Sequence, residues 1–302
     1  MAETILEING LSKKYKKINA VSDLNLKVEK QMIFGLLGPN GSGKTTTLGM
    51  LMGVIRASGG SYSWFGNGEK DENRKRIGAL LETPNFYPYL TAVQNLEITA
   101  KIKGIANPEE EIQKVLKAVD LLDRQDSKFR TYSLGMKQRL AIGATLLGDP
   151  ELLVLDEPTN GLDPQGIAEI RELIIEIGRS GKTIIIASHI LDEIQKMCTH
   201  CAILRKGHLL QVGTIEDLIG NQDVALIKIG SIDTPKLLKV IESDDSISVY
   251  KEDAKTLIIR CEAGTKPSEI NQYFFDKGIV LSELSLFQES LENQFLAIVN
   301  KA

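Results

Sequence analysis

The sequence predicts an α/β fold built around a glycine-rich loop, with an antiparallel β subdomain, a helical subdomain and a small α+β domain at the C-terminal end. Three observations predict it. An apolar run, Met32–Leu37, leads into Gly38-Pro39-Asn40-Gly41-Ser42-Gly43-Lys44-Thr45 and then into a segment of helical character, Thr46–Val54. That is the strand, glycine loop and helix order a P-loop requires. A second apolar run, Leu152–Leu155, ends in Asp156-Glu157-Pro158, as buried parallel strands do where α/β sheets place ligands. Beyond residue 223 the strand and helix patterns follow the order β-α-β-β-α-β, the ferredoxin-like arrangement.

In chain order, residues 4–8 and 20–28 read as strands, the second alternating Val21, Leu24, Leu26 and Val28 with polar residues, as a half-exposed antiparallel pair should. Between them lies Lys13-Lys14-Tyr15-Lys16-Lys17; the run is a solvated face, and Tyr15 offers an aromatic surface on which a base can stack. In the P-loop, glycines let successive backbone N–H groups turn inward as an anion nest at a helix N-terminus. Asn40, Gly41, Ser42, Gly43 and Thr46 frame it, Lys44 brings a positive charge to the terminal phosphates, and the Thr45 hydroxyl is a Mg²⁺ ligand.

A short strand at 62–65 and another at 77–81 follow, the latter ending at Glu82-Thr83-Pro84. Segment 91–122 reads as helical; in 108–122, Ile112, Val115, Leu116, Val119 and Leu122 share one face, with Pro108 and three glutamates at the N-terminal end. A helix is predicted from Ser133 to about Gly148. Asp156 closes its strand as a Mg²⁺-side acid, and Glu157, on the other side of the strand tip, is placed to act as general base on a water. Asp163-Pro164 opens a helix with Ile167, Ile170, Ile174 and Ile177 on its apolar face. The strand 183–188 ends at His189, which can hydrogen-bond a γ-phosphate or its attacking water. A hairpin spans 201–205 and 208–213 around Lys206-Gly207.

Past a linker at Ile219–Asp223 the expected elements are strand 224–230, helix 234–242, strands 246–251 and 256–261, helix 267–277, strand 279–287 and a closing helix from Leu291. This divides the chain into domains 1–219 and 220–302. No catalytic constellation shows in the second.

Composition sets limits. The 302 residues are 25% charged and 42% hydrophobic, and 36 Lys plus Arg against 40 Asp plus Glu leave a net charge of −4. A nucleic-acid surface would show a basic excess, so no nucleic-acid partner is expected. The start, MAETILEING, has acids where a signal peptide would be basic and apolar, and no run is apolar enough to span a membrane. Three cysteines argue for a reducing cytosol over a disulfide framework. Cys198-Thr199-His200-Cys201 has no second pair to complete a zinc site.

Tyr132-Ser133-Leu134-Gly135-Met136-Lys137-Gln138-Arg139, standing ahead of the Asp156 strand, resembles the LSGGQ-type signature of ATP-binding-cassette (ABC) ATPases. Asn160-Gly161-Leu162-Asp163 resembles their D-loop, His189 their switch histidine and Tyr15 their adenine-stacking position. The resemblance covers residues 1 to about 219 and implies a P-loop NTPase fold, ATP and Mg²⁺ as ligands, and ATP hydrolysis. It also implies a head-to-tail homodimer in which Ser133 and Gly135 hold the γ-phosphate bound by the other copy. Two departures stand out: Leu134 and Met136 replace the usual glycine and glutamine, and Glu82 occupies the Q-loop position, where a carboxylate can still ligate Mg²⁺.

Glu82, TPNFYPYLT and YSLGMKQRL resemble the subgroup that exports bacitracin- or lantibiotic-like peptides through separately encoded integral membrane permease subunits. The permease is expected in a groove around Glu82–Tyr89, where Phe86, Tyr87 and Tyr89 add aromatic surface. That implies a cytoplasmic chain, peripheral on the inner face of the membrane. The alternative is a non-transport ABC ATPase acting on DNA or ribosomes, but neither a basic arm nor a long coiled-coil insertion is visible.

Overall fold

The computed structural model describes residues 3–68, 71–82, 85–219, 224–244, 246–253 and 256–287. The chain divides into two compact units on either side of Ile215.

The strands of the first unit are β1 (Thr4–Tyr15), β2 (Ile18–Glu29), β3 (Ile33–Leu37), β4 (Gly59–Trp64), β5 (Ile77–Leu80), β6 (Leu152–Asp156), β7 (Thr183–Ser188), β8 (His200–Arg205) and β9 (His208–Thr214). Its α-helices are α1 (Lys44–Leu51), α2 (Asp71–Arg74), α3 (Ala92–Lys103), α4 (Pro108–Ala118), α5 (Leu134–Leu146), α6 (Pro164–Arg179) and α7 (Leu191–Met197). The main sheet has the order β5-β6-β7-β3-β8-β9, parallel except for β9. Strands β3, β6 and β7 are buried at every position, because helices cover both faces of such a sheet and leave no polar side.

The antiparallel sheet β2-β1-β4 buries Val21, Leu24, Leu26 and Val28. They join one core with Leu48, Met50 and Leu51 of α1 and with Phe34, Val154 and Ile185 of the main sheet. Trp64 is fully buried there, its indole N–H donating to Leu51 O at 3.2 Å. The P-loop helix is thereby wedged between the two sheets.

The helical segment 91–122 divides into α3 and α4, the second opening at Pro108 as expected. Thr91 starts α3 with a reciprocal capping box to Gln94, and Gly104 stops it in the left-handed conformation at φ 74°. Helix α4 ends at Ala118, and Asp120, at φ 53°, turns the chain so that Leu121 N reaches back to Leu116 O at 2.9 Å. That left-handed turn advances the chain by one residue, so Leu121 enters the core and the expected Leu122 is left half-buried. On α6 the buried face is Ile170, Leu173, Ile174 and Ile177, with Ile167 half-buried toward the helix start.

The second unit, from Glu216, takes in all but the first residue of α8 (Ile215–Ile219), then β10 (Val224–Ser231), α9 (Thr234–Glu242), β11 (Ser248–Asp253), β12 (Thr256–Glu262), α10 (Pro267–Asp276) and β13 (Leu281–Leu286). Its sheet order, β11-β12-β10-β13, is antiparallel throughout, as a ferredoxin-like domain requires. Leu257, Ile259 and Cys261 point into its core with Leu237, Ile241, Ile270 and Phe274 from the two helices. The expected helix from Leu291 lies outside the described residues.

Candidate active site

Parallel strands end on one edge, so whatever follows β3, β5, β6 and β7 collects there. The register sets Leu37 beside Ser188, Ala187 beside Asp156, and Leu155 beside Leu80. The P-loop, Glu82, Asp156 with Glu157, and His189 therefore share that edge.

The P-loop is braced on both sides. Gly38 N donates to Ser188 O at 3.3 Å, and Gly207 N in the β8–β9 turn donates to Ser42 O at 2.9 Å. A Cβ on Gly38 would lie 2.3 Å from Leu204 O, and one on Gly43, at φ 107°, would lie 2.6 Å from Ala20 O. Only glycine fits these two approaches. Gly41 differs: at φ 79° it has no atom within 4 Å of a Cβ, so its backbone faces open space. Asn40 and Thr45 are exposed, Thr46 is half-buried, and Ser42 is buried with its hydroxyl oxygen unpartnered.

Lys44 is buried, and its ammonium donates to Gly38 O at 2.7 Å while lying 3.3 Å from Glu157 Oε1. Asp156 is the last residue of β6, buried, with Oδ1 unpartnered. Burial raises its pKa, a Thr45 hydrogen bond lowers it, the Glu157 charge raises it, Lys44 lowers it and Glu82 raises it. The strand alternation that would aim Glu157 away from its neighbour ends at Asp156. Glu157 adopts a left-handed φ of 49°, its N–H donating to Ala187 O at 2.9 Å. Both carboxylates thus lie near the one ammonium, and the second oxygen of Glu157 is 2.8 Å from His189 Nδ1. A non-glycine residue held left-handed stores backbone strain of order 1 kcal/mol, which clusters at sites of function. Glu82 is exposed, also left-handed at φ 64°; Thr83 and Pro84 lie outside the described residues.

Two other groups of residues belong to different elements. Tyr15 ends β1, exposed, with the Lys13 ammonium 4.7 Å from its ring centroid. Ser133 caps α5, its hydroxyl accepting from Met136 N at 3.2 Å. Gly135 follows in the first turn with no atom within 4 Å of a Cβ. Cys198 and Cys201 are buried, which pushes the Cys201 thiol up to about 12 and the Cys198 thiol upward too.

Sequence reasoning missed residues that hold these elements together. Arg139, in the second turn of α5, bonds Asp120 at 2.8 Å and Glu169 of α6 at 2.7 Å. Arg171 of α6 bonds buried Glu193 of α7 at 3.0 Å. These bind the helix after the signature, the helix after the D-loop and the helix after His189. Their signal in the sequence is only a charged residue on an otherwise apolar helix face.

A glycine loop on a parallel sheet edge, with a buried lysine and two acids at the tip of a neighbouring strand, defines a P-loop nucleoside triphosphatase. The family model described as ABC transporter matches residues 21–160. The bacitracin transport ATP-binding protein BcrA of Bacillus licheniformis is 37% identical over 300 residues, 98% of this chain and 97% of that protein. The lantibiotic transport ATP-binding protein SrtF of Streptococcus pyogenes is 35% identical over 224 residues, 72% of this chain and 97% of that one. Among solved structures, a dimeric ATP-binding cassette in a post-hydrolysis state with ADP and Pi aligns at 25% identity and a TM-score of 0.61, covering 70% of this chain and 99% of its own. The chain belongs to the ATP-binding subunits of ABC transporters, and it is an ATPase. Among the described residues no helix is long and apolar enough to cross a membrane.

Proposed function

We propose that this chain powers the export of peptide antibiotics or related amphipathic compounds through separate integral membrane subunits. The observation that carries the catalytic reading is the carboxylate of Glu157, shared between Lys44 at 3.3 Å and His189 at 2.8 Å, beside a loop whose Gly41 backbone faces open space. Backbone N–H groups of Asn40–Thr46 and the Lys44 ammonium hold the phosphates of ATP. The residues fit a divalent cation: Asp156 keeps an unpartnered buried oxygen next to the Thr45 hydroxyl, and Glu82 adds a carboxylate nearby. Thr45, Asp156 and Glu82 would hold Mg²⁺, which when bound neutralises phosphate charge. Nucleotide binding draws Lys44 toward the phosphates, and Glu157 is then free to accept a proton from the attacking water while His189 orients that carboxylate. Tyr15 stacks on the adenine, and Ser133 and Gly135 close on the γ-phosphate of the other copy in a head-to-tail dimer.

The full-length match to a bacitracin transport protein, which includes the C-terminal unit, supports the export reading. On that reading residues 1–219 are the motor and 220–302 an accessory domain. The exposed rings of Tyr87 and Tyr89 form the permease contact, and the chain is cytoplasmic, held at the inner membrane face through that partner. Purification from membranes, with identification of the co-purifying integral protein, tests this. Recovery free of any integral protein, or with ribosomes or DNA, would count against it.

A further inference from the structure

Lys103 is the last residue of α3, and its ammonium reaches the end of a different helix. It donates to Ala144 O at 3.2 Å, Thr145 O at 3.3 Å and Leu147 O at 2.6 Å. An ammonium has three donors, so three carbonyls that the end of α5 cannot satisfy within itself take all of them. The residue lies on the surface, but its tip is drawn in under the last turn of α5. There it borders a cavity of about 250 Å³ that Leu81, Asn85 and Phe86 also line. The same turn is also met by β5. Gly78 of β5 meets Thr145 backbone to backbone, where a Cβ would fall 2.2 Å from the carbonyl oxygen.

Both grips lead back to the aromatic segment. Strand β5 runs directly to Glu82. Helix α3 holds Tyr87 through Asn95, whose side chain accepts from Tyr87 N at 2.8 Å and donates to Tyr87 O at 3.2 Å and Thr91 O at 2.9 Å. Asn95 is buried, so these bonds are shielded from water. At the far end of α5, about 20 Å away for a helix of this length, stands Ser133. A continuous series of contacts therefore runs from Tyr87 through Asn95, α3, Lys103 and α5 to the signature.

We propose that Lys103 is a positioning residue: by tying α3 to the last turn of α5 it makes the two helices move as one body, so that a partner displacing the Tyr87–Tyr89 segment shifts Ser133 and Gly135. This rests on the reading in which those two residues close on the γ-phosphate. Burial lowers the Lys103 pKa to about 8, opposed by the Glu111 carboxylate of α4; the faces of α5 and β5 against it offer alanine, leucine and threonine. Above that pH a neutral amine keeps only two donors for three carbonyls.

The test uses the full chain with Lys103→Met, which keeps most of the stem and removes the donors, and Lys103→Arg, which keeps a permanent charge. In Lys103→Met, kcat falls several-fold, within the roughly 2- to 30-fold range of such couplings. Its ATP affinity by titration stays near wild type, because the P-loop is untouched. Wild-type turnover declines above about pH 8 relative to Lys103→Arg, whose profile stays flat there. Wild-type turnover in Lys103→Met, or an ATP affinity lost in step with kcat and thermal stability, would overturn the proposal. Should Lys103→Met fail to fold, identical pH profiles for wild type and Lys103→Arg would overturn it. Full turnover in Ser133→Ala would instead remove the underlying reading; a dead Ser133→Ala beside an unaffected Lys103→Met removes the coupling alone.

Discussion

His189 Nδ1 lies 2.8 Å from Glu157 Oε2, while the other oxygen of that carboxylate faces the Lys44 ammonium at 3.3 Å. Glu157 is thus held in two places at once, by Lys44, which on the proposed reading turns to the phosphates, and by His189. A carboxylate fixed at one oxygen has the other ready for a water. Glu157→Gln is expected to slow phosphate release by about 10²- to 10⁴-fold, the usual weight of a general base, with ATP titration unchanged and a closed dimer accumulating. His189→Ala added to Glu157→Gln should cost little more, since residues acting as a unit are not additive. Turnover close to wild type in Glu157→Gln would remove it from this role.

Lys44 is enclosed by protein. Its partners are the Gly38 carbonyl at 2.7 Å, the Pro39 carbonyl at 3.5 Å and Glu157 at 3.3 Å. Hydrogen bonds to charged groups contribute about 1.5–3 kcal/mol, so Lys44→Ala should weaken ATP binding by roughly tenfold to a hundredfold. Calorimetric titration checks this, and an unchanged Kd contradicts the phosphate assignment.

Gly41 and Gly43 separate folding from binding. Both have positive φ, but a methyl on Gly43 runs into Ala20 O at 2.6 Å, while one on Gly41 meets nothing within 4 Å. Gly43→Ala should lower thermal stability markedly through backbone displacement. Gly41→Ala should fold at a cost of about 1 kcal/mol for the left-handed backbone yet lose ATP affinity, because the methyl occupies the space the phosphates need. Normal ATP affinity in Gly41→Ala would show that the open side of the loop is not where they sit.

Burial of the Asp156 carboxylate costs stability. Burial holds its pKa above the ordinary 3.8, so just above that value the folded chain carries more protons than the unfolded one. Stability then falls as pH rises from the unfolded-state pKa through the folded-state pKa, and above both the full cost of burying the charge is felt. Asp156→Asn should raise Tm at pH 7 by a few degrees, as about 1 kcal/mol does in a domain of this size. It should also abolish turnover and the further rise in Tm on adding Mg-ATP. A lowered Tm in Asp156→Asn would mean that hydrogen bonding from Thr45 outweighs burial.

Which residues share the sheet edge was legible because that depends on strand ends. The glycine loop, Asp156, Glu157 and His189 each follow an apolar run, and parallel strands bring such ends together without any long-range information. Helix boundaries were less legible where one residue sets the phase: nothing in Val119-Asp120-Leu121-Leu122 announces that Asp120 turns left-handed and exchanges Leu122 for Leu121 in the core. The inter-helix ties of Lys103, Arg139 and Arg171 were illegible. Each pairs residues far apart in sequence, and a lone basic side chain on a helix reads as solvated until its partner is seen.

The second unit has its own core, in which Phe274 is fully buried among Ile227, Ile229, Leu257 and Ile270. None of the residues of the nucleotide site contributes to that cluster, and a domain this small has little stability in reserve. Phe274→Ala removes about 3–5 kcal/mol, a large share of what such a domain holds. Calorimetry should therefore show an early transition for the C-terminal unit alone, while the later transition, and its upward shift with ATP, stay where they are in the wild type. If the accessory reading is right, Phe274→Ala retains ATP binding and basal turnover of the isolated chain. A single transition displaced as a whole, with weakened ATP binding, would instead mean that the C-terminal unit is part of the motor.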